Sequence, residues 1–366
     1  NADLYPYNNH VLLIHKDGKG IKLPATPSSD ALNVDNQISG AELKEQLDKT
    51  IRSNLVQYAK QQSQTSCREK IRVLLFVHGG LNDYASSAEH MFALFGPPGN
   101  KSVGDNLYKY PLQESCYYPI FINWNSSLGD SVWDDLTRIR FGEPRWWAWP
   151  TAPTMVVARL LGSMMDVPVS IIHNFINVGD AAAGARIEGD PALAIAGDVL
   201  LYLPLQIAYT ATIPVGEGFG APGWEIMKRR VDLAIAPRLE QTEDQEGAAL
   251  TLIEQLRNWL KDKNGVTVLD CGQIEGECPE TPVEITIIGH SMGSMLINHF
   301  LDSTEAKGRG GIDLPVKNII YMAPATTIKD TEHLLLPYMR RHDNSHFLLF
   351  VLNQRDEARE IALKGE

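Results

Sequence analysis

VEITIIGHSMG occupies residues 283–293, and MLINHFL follows it at residues 295–301. The first segment is rich in β-branched residues, which favour a strand, and the second is suited to a helix. Between them, residues 289–293 fit the pattern G-x-S-x-G, in which a serine occupies a sharp turn from strand to helix. The stretch therefore predicts a buried strand, a strained turn at Ser291 and a helix that begins directly after it.

The chemistry of such a turn follows from its geometry. Gly289 and Gly293 carry no side chain, so neighbouring segments can pass close to the turn. The turn lifts the Ser291 hydroxyl above the sheet, and it brings the Met292 N–H and the helix N-terminus towards developing negative charge. The pattern predicts Ser291 as a nucleophile. The alternative is a tight turn with a structural serine.

Other strands are predicted by short apolar runs. Continuous apolar runs indicate parallel strands that are buried on both faces, and strands that are separated by helices indicate an α/β protein. We therefore expect a mainly parallel sheet with helices on both faces. The further runs that predict strands are 72–77, 119–124, 317–322 and 346–352.

Local signals predict the flanking elements. Asp17-Gly18 predicts the turn of a hairpin over residues 10–23. Ser39 and Glu42 resemble a capping box, and leucine and isoleucine recur at helical spacing after them, which predicts a helix over 41–62. A second helix is predicted over 248–263.

His78-Gly79-Gly80 ends the apolar run at 72–77. Glycines at a strand end leave backbone N–H groups unhindered, so such a loop can donate hydrogen bonds to an oxyanion. The alternative is a glycine-rich turn without a role in chemistry.

These two elements, in this order along the chain, resemble the α/β-hydrolase superfamily, and GHSMG resembles the turn of lipases, esterases and related serine hydrolases. The resemblance covers roughly residues 70–124 and 247–356. It implies an α/β-hydrolase fold and an oxyanion hole built from backbone N–H groups of Met292, Gly79, Gly80 and Leu81. It implies neither a cofactor nor a metal.

The resemblance also implies an acid after the seventh strand and a histidine after the eighth. Asp356 is the acid that this order predicts, with Glu357 and Asp330 as alternatives. No histidine follows His346. We therefore expect either that the last strand and its histidine are missing from this chain, or that the triad is unorthodox. The in-chain candidates, His333 and His342, precede the acid.

A large insertion interrupts the predicted alternation of strands and helices. We predict three segments: the first part of the core at 1–124, a helical cap at 125–246 and the second part of the core at 247–366. The cap is rich in tryptophan and apolar residues, but its run at 199–213 is shorter than the about 20 residues of a membrane span. These apolar residues form the cap's own core or an oligomer contact, or they bind an acyl chain or a membrane interface.

Charge and cysteines restrict the partners and the compartment. The net charge of −12 argues against nucleic acid. In the fold that the resemblance implies, Cys67 and Cys116 precede neighbouring strands and are expected to form a disulfide, and Cys271 and Cys278 flank a short loop that can close on itself. Two such pairs predict an oxidising compartment, periplasmic or secreted. The alternative is four reduced thiols.

The sequence as a whole predicts a serine hydrolase of esters or thioesters, with an acyl ester, small or lipid-like, as its substrate. An acyltransferase is a close alternative, because only the acceptor that attacks the acyl-enzyme differs. A non-catalytic binding or assembly module on a degraded hydrolase fold is the alternative from another class. The sequence does not identify the acyl group or the oligomeric state.

Overall fold

The computed structural model of the 366-residue chain describes twelve separate parts of it. They are residues 7–23, 36–62, 69–80, 84, 87, 91, 116–140, 143–163, 216–236, 246–270, 281–303 and 314–351. Statements on structure below concern these residues.

A six-stranded sheet organises the fold, and every neighbouring pair of its strands is parallel. The predicted mainly parallel α/β sheet is therefore confirmed. Two short antiparallel pairs, β4–β5 and β6–β7, lie apart from it. The strands are β1 Val11–Ile14, β2 Ile71–Val77, β3 Tyr117–Trp124, β4 Ile139–Arg140, β5 Glu143–Pro144, β6 Leu260–Lys263, β7 Val266–Leu269, β8 Val283–His290, β9 Val316–Met322 and β10 His346–Phe350.

The order of the strands in the sheet is β1-β3-β2-β8-β9-β10. The central strands are the apolar runs of the sequence, and their side chains are largely buried because the sheet is covered there. In the register, Val77 lies opposite Gly289, and His290 lies opposite Met322. The end of β8 is therefore flanked on both sides by the ends of β2 and β9.

The first helix begins at a cap that the sequence predicts. The predicted capping box is present: Ser39 accepts from the Glu42 N–H, and the Glu42 side chain accepts from the Ser39 N–H. The helices are α1 Gly40–Leu47, α2 Ser53–Gln62, α3 Leu128–Thr137, α4 148–163, α5 Ala221–Ile235, α6 Ala248–Asn258, α7 Gly293–Ser303 and α8 Leu336–Arg341, with π-helical turns at Asp48–Arg52, Gly216–Gly220 and Thr331–Leu335, a 3₁₀ turn at Tyr7–Asn9 and a short turn at Ile328–Asp330.

Two sequence-based predictions differ from the structure in detail. The turn at Asp17-Gly18 forms, but β1 pairs with β3 in parallel, and the returning chain forms no strand with it; it meets β1 at a bridge between Ile14 and Gly20 and through the hydrogen bond from the Ile21 N–H to the Leu13 carbonyl. The predicted helix over 248–263 ends at Asn258, because the chain then forms the β6–β7 hairpin. Asn264 and Gly265 both have positive φ, as a tight hairpin turn requires.

The chain divides into two compact units. The first contains residues 1–127 and 229–350, and the second contains 128–228 and 351–366. The first unit holds the six-stranded sheet. Residues 229–236 of the predicted cap belong to this first unit, and residues 164–215, the middle of the predicted cap, lie outside the described residues. The three-segment division and the cap itself stay predictions.

Candidate active site

Ser291 directly follows β8 at the centre of the sheet. Its φ of 48° lies in the left-handed region, which costs a residue with a Cβ roughly 1–2 kcal/mol. Its N–H donates to the Met322 carbonyl at 2.8 Å, and its carbonyl accepts from the Ala325 N–H at 3.1 Å and from the Ser294 hydroxyl at 2.6 Å. The surrounding chain therefore holds Ser291 in a strained conformation from both sides.

The glycines on either side of Ser291 are required by close contacts. A Cβ on Gly293 would lie 2.2 Å from the Val77 carbonyl oxygen, and one on Gly289 would lie 2.9 Å from the Ser294 N. Both contacts involve backbone atoms, which cannot move away cheaply. The prediction that small residues let neighbouring segments pass close to the turn is thus confirmed: they let α7 sit against the ends of β2 and β8.

The loop after β2 approaches the same serine. A Cβ on Gly79 would lie 2.9 Å from the Ser291 Cβ and 2.8 Å from His290 Nδ1. The structure therefore brings Gly79 and Ser291 together, as the resemblance implied. Gly80 is the next residue, Met292 is fully buried at the start of α7, and Leu81 lies outside the described residues.

The N-terminus of α7 adds an electrostatic component. The first N–H groups of a helix have no partner within the helix, and they carry a partial positive charge. Because α7 begins at Gly293, this charge develops two residues after Ser291. An anion that forms beside Ser291 would be stabilised there.

His78 fixes the loop and cannot serve as a base. Its Nδ1 lies 2.6 Å from the Gly79 carbonyl, which only accepts, so Nδ1 carries the proton. Its Nε2 accepts from the Trp124 N–H at 3.2 Å. Burial lowers the pKa of His78 to about 4, although hydrogen bonds to Gly79 and Trp124 act in the opposite direction. The side chain is therefore a neutral brace, whose two ring nitrogens are hydrogen-bonded to the loop after β2 and to Trp124 of β3.

This brace makes stability depend on pH. Because the pKa of His78 is lowered in the fold from an ordinary value near 6.5 to about 4, the unfolded chain binds more protons between these values. The contribution of His78 to the free energy of unfolding is complete above about pH 6.5, and it is lost as the pH falls towards 4. We expect His78→Asn to reduce the loss of unfolding free energy between about pH 7.5 and pH 5 by roughly 2 kcal/mol.

Urea unfolding at the two pH values measures this difference. His333→Asn is the matched control, because His333 is exposed and should leave the pH dependence as it is in the wild type. An equal pH dependence for His78→Asn and the wild type would contradict the buried neutral state of His78.

The predicted acid cannot be placed. Asp356 and its alternative Glu357 lie outside the described residues. The third candidate, Asp330, ends the short turn Ile328–Asp330, and its N–H donates to the Thr327 hydroxyl. Asp356 as the acid therefore stays a prediction.

No histidine in the described residues is hydrogen-bonded to the Ser291 hydroxyl. His342 stacks on Tyr338, with ring centroids 4.2 Å apart, and His333 is exposed on the π-helical turn Thr331–Leu335. His290 is exposed beside Gly79. Among the described residues, Ser291 and the loop at Gly79 come together, but no histidine is placed as a base for the Ser291 hydroxyl.

The sequence analysis missed a polar network that supports the turn. Tyr321 donates to Asn298 Oδ1 at 2.6 Å, and Asn298 Nδ2 donates to Thr326 Oγ1 at 2.9 Å. Thr326 lies in the loop after β9, next to Ala325, whose N–H binds the Ser291 carbonyl. The network therefore holds the loop that holds Ser291. The one signal in the sequence is an asparagine among the apolar residues of α7.

The described residues bear only in part on the metal and cysteine predictions. Among the described residues, no group of three or more His, Cys, Asp or Glu side chains could hold a metal ion. Cys116 precedes β3, which pairs with β2 as the predicted Cys67–Cys116 bridge requires. Cys67, Cys271 and Cys278 lie outside the described residues, so both pairings stay predictions.

Comparisons of the chain with protein-family models, with curated proteins and with solved structures found no match. The class that can be stated is therefore an α/β protein with a parallel six-stranded sheet and a strained serine at the end of its fourth strand in spatial order. No helix in the described part of the chain combines the length and the hydrophobicity that a membrane crossing requires.

Proposed function

We propose that the chain is a serine hydrolase of the α/β-hydrolase kind, which cleaves carboxylic esters or thioesters through an acyl-enzyme at Ser291. The observation that carries this proposal is the backbone of Ser291, which is held at positive φ between a central parallel strand and a helix N-terminus. Strained residues that their surroundings over-determine cluster at functional sites.

The approach of the Gly79 loop supports the same reaction. The Ser291 oxygen attacks the acyl carbon, and the carbonyl electrons move to its oxygen. In the proposal, that oxyanion accepts from the Met292 N–H and from an N–H of the 79–81 loop. The hydrogen bonds of His78 are consistent with this role: Nδ1–H donates to the Gly79 carbonyl and Nε2 accepts from the Trp124 N–H, so His78 takes no N–H donor of the 79–81 loop.

The remaining steps require a general base. It takes the Ser291 proton and gives it to the leaving oxygen or sulfur, and water then cleaves the acyl-enzyme so that the acid is released and the serine proton is restored. We propose a histidine oriented by Asp356 for this role. No metal or organic cofactor takes part in these steps.

The proposed setting is an oxidising compartment, periplasmic or secreted, with disulfides Cys67–Cys116 and Cys271–Cys278. The proposed substrate is an acyl ester, including lipid-like esters with longer chains. The apolar residues of the predicted cap favour lipid-like esters, because each buried CH₂ of an acyl chain contributes about 0.8 kcal/mol.

Covalent labelling tests the nucleophile. We expect a fluorophosphonate to add a single phosphonyl group to the chain and peptide mapping to locate it on Ser291. Ser291→Ala should abolish the adduct, whereas the control Ser39→Ala, which removes a distant helix cap, should keep it. Labelling that survives Ser291→Ala would reject the assignment. An unlabelled wild-type chain of intact fold would favour the non-catalytic binding module.

A further inference from the structure

Part of the second unit, around α3 and α4, buries charged side chains and exposes apolar ones. On α3, Asp134 and Asp135 are 4% and 7% exposed, whereas Trp133, beside them in the chain, is 57% exposed. A helix at the surface of a protein in water usually has its apolar stripe inside. Asp130 is exposed, so two of the three carboxylates of α3 depart from that arrangement.

The buried charges in this unit are paired internally. Arg140 is 1% exposed, and its guanidinium donates to the carbonyls of Asp135, Leu136 and Ala148 at 2.7–2.9 Å. Arg159 of α4 forms an ion pair with Asp135. These contacts connect α3, the β4 strand and α4 through their polar groups.

The outer face of α4 has no charge. Arg159 is the one charged residue in 148–163, and it is turned towards Asp135. The exposed large side chains are Trp149 at 64%, Val157 at 56% and Leu161 at 62%. Their spacing of eight and four residues places them on one side of the helix. The other exposed positions of α4 are also uncharged: Pro150, Pro153, Thr154, Ala158 and Gly162.

A further exposed tryptophan precedes the helix. Trp146 is 87% exposed, two residues before 148. Tryptophan combines a large apolar ring with a polar N–H, and it is therefore enriched where apolar and aqueous phases meet. We call Trp146 together with Trp149, Val157 and Leu161 the apolar face of α4.

We propose that the apolar face of α4 lies in the interface of a phospholipid bilayer, parallel to the membrane plane. An interfacial helix inserts its apolar residues into the boundary between headgroups and acyl chains, and its binding increases with the apolar area that is buried there. The proposal concerns the second unit and does not depend on the proposed hydrolase activity.

The size of the face favours a bilayer over a second copy of the chain. Residues 149–161 span about 20 Å of a helix that is about 10 Å wide, so their footprint is roughly 200 Å². A stable protein interface takes about 800 Å² from each partner. A bilayer accepts a small face, because binding increases with the apolar area that is inserted.

The net charge of the chain predicts which lipid headgroups it binds. With a net charge of −12 and an uncharged face, the chain gains nothing from anionic headgroups. We therefore expect binding to zwitterionic phosphatidylcholine vesicles that is insensitive to salt. Anionic phosphatidylglycerol should not strengthen it.

Vesicle flotation with the full chain tests the proposal. The wild type should float with phosphatidylcholine vesicles, and the double variant Val157→Asp, Leu161→Asp should bind at least about tenfold more weakly. Ile328→Asp is the control, because it places one aspartate at an apolar residue that is 88% exposed in the first unit, and it should bind as the wild type does. Quenching of tryptophan emission by brominated lipid should likewise be lost in the double variant alone.

Three results would overturn the proposal. A wild-type chain that stays with the aqueous fraction would do so, as would binding that requires anionic lipid and is abolished by salt. A dimer in solution that the double variant dissociates would show that a second copy covers the face. A Trp149→Ala variant repeats the comparison with a change that introduces no charge, so a misfolded double variant would not decide the outcome.

Discussion

Replacing Ser291 by glycine is expected to abolish turnover and to stabilise the fold. Hydrolysis of a p-nitrophenyl ester should fall by at least about 10³-fold in kcat/KM, because the nucleophile is removed. At the same time, the free energy of unfolding should rise by about 1 kcal/mol, because glycine adopts positive φ without the Cβ clash. The difference in unfolding free energy between the wild type and Ser291→Gly would then measure the strain at Ser291.

Ser291→Ala is the matched control for this result. It removes the same hydroxyl, and it should lose the same activity, but it keeps a Cβ at a φ of 48°. We therefore expect urea unfolding to rank Ser291→Gly above both Ser291→Ala and the wild type. Equal stabilities of the glycine and alanine variants would show that the turn relaxes, and substantial activity in either variant would remove Ser291 from the reaction.

Gly293→Ala is expected to destabilise the first unit strongly. The added Cβ would lie 2.2 Å from the Val77 carbonyl oxygen and 2.9 Å from that of His78. Both oxygens belong to the backbone at the end of β2, so α7 must move away from the sheet. Strain of this kind costs about 3 kcal/mol or more, and we expect a correspondingly lower urea midpoint together with loss of fluorophosphonate labelling.

Gly162→Ala provides the comparison. Gly162 lies in α4, and a Cβ there would meet no atom within 4 Å. Alanine has the higher helix propensity, so this variant should be more stable than the wild type by up to about 1 kcal/mol. If Gly293→Ala retained wild-type stability, the close contact between α7 and β2 would be wrong.

The pair of variants at Ser291 and the variant at Gly293 separate two properties of the turn. Ser291→Gly removes strain and chemistry but keeps the contacts between α7 and the sheet. Gly293→Ala disturbs those contacts but keeps the hydroxyl. An intact fold without activity in the first case, and an impaired fold in the second, would show that the glycines serve packing and the serine serves chemistry.

Much of the sheet could be predicted from the sequence. The runs at 72–77, 119–124 and 317–322 became β2, β3 and β9 because a buried parallel strand needs a continuous apolar segment, which is a local property. The end of the helix predicted over 248–263 was wrong by several residues. Asn264-Gly265 was the available signal for the hairpin that replaces it.

The sequence by itself determined the positions of Ser291 and of its flanking glycines, because the conformational demand of a strand-to-helix turn falls on adjacent residues. Only the tertiary structure brought Gly79 against Ser291 and connected Tyr321, Asn298 and Thr326, because these contacts join residues that are distant in the chain. The same holds for the buried charges of α3 and the exposed apolar face of α4. The composition of α3 and α4 does not show which side is covered, and burial of Asp134, Asp135 and Arg140 depends on how the two helices pack against each other.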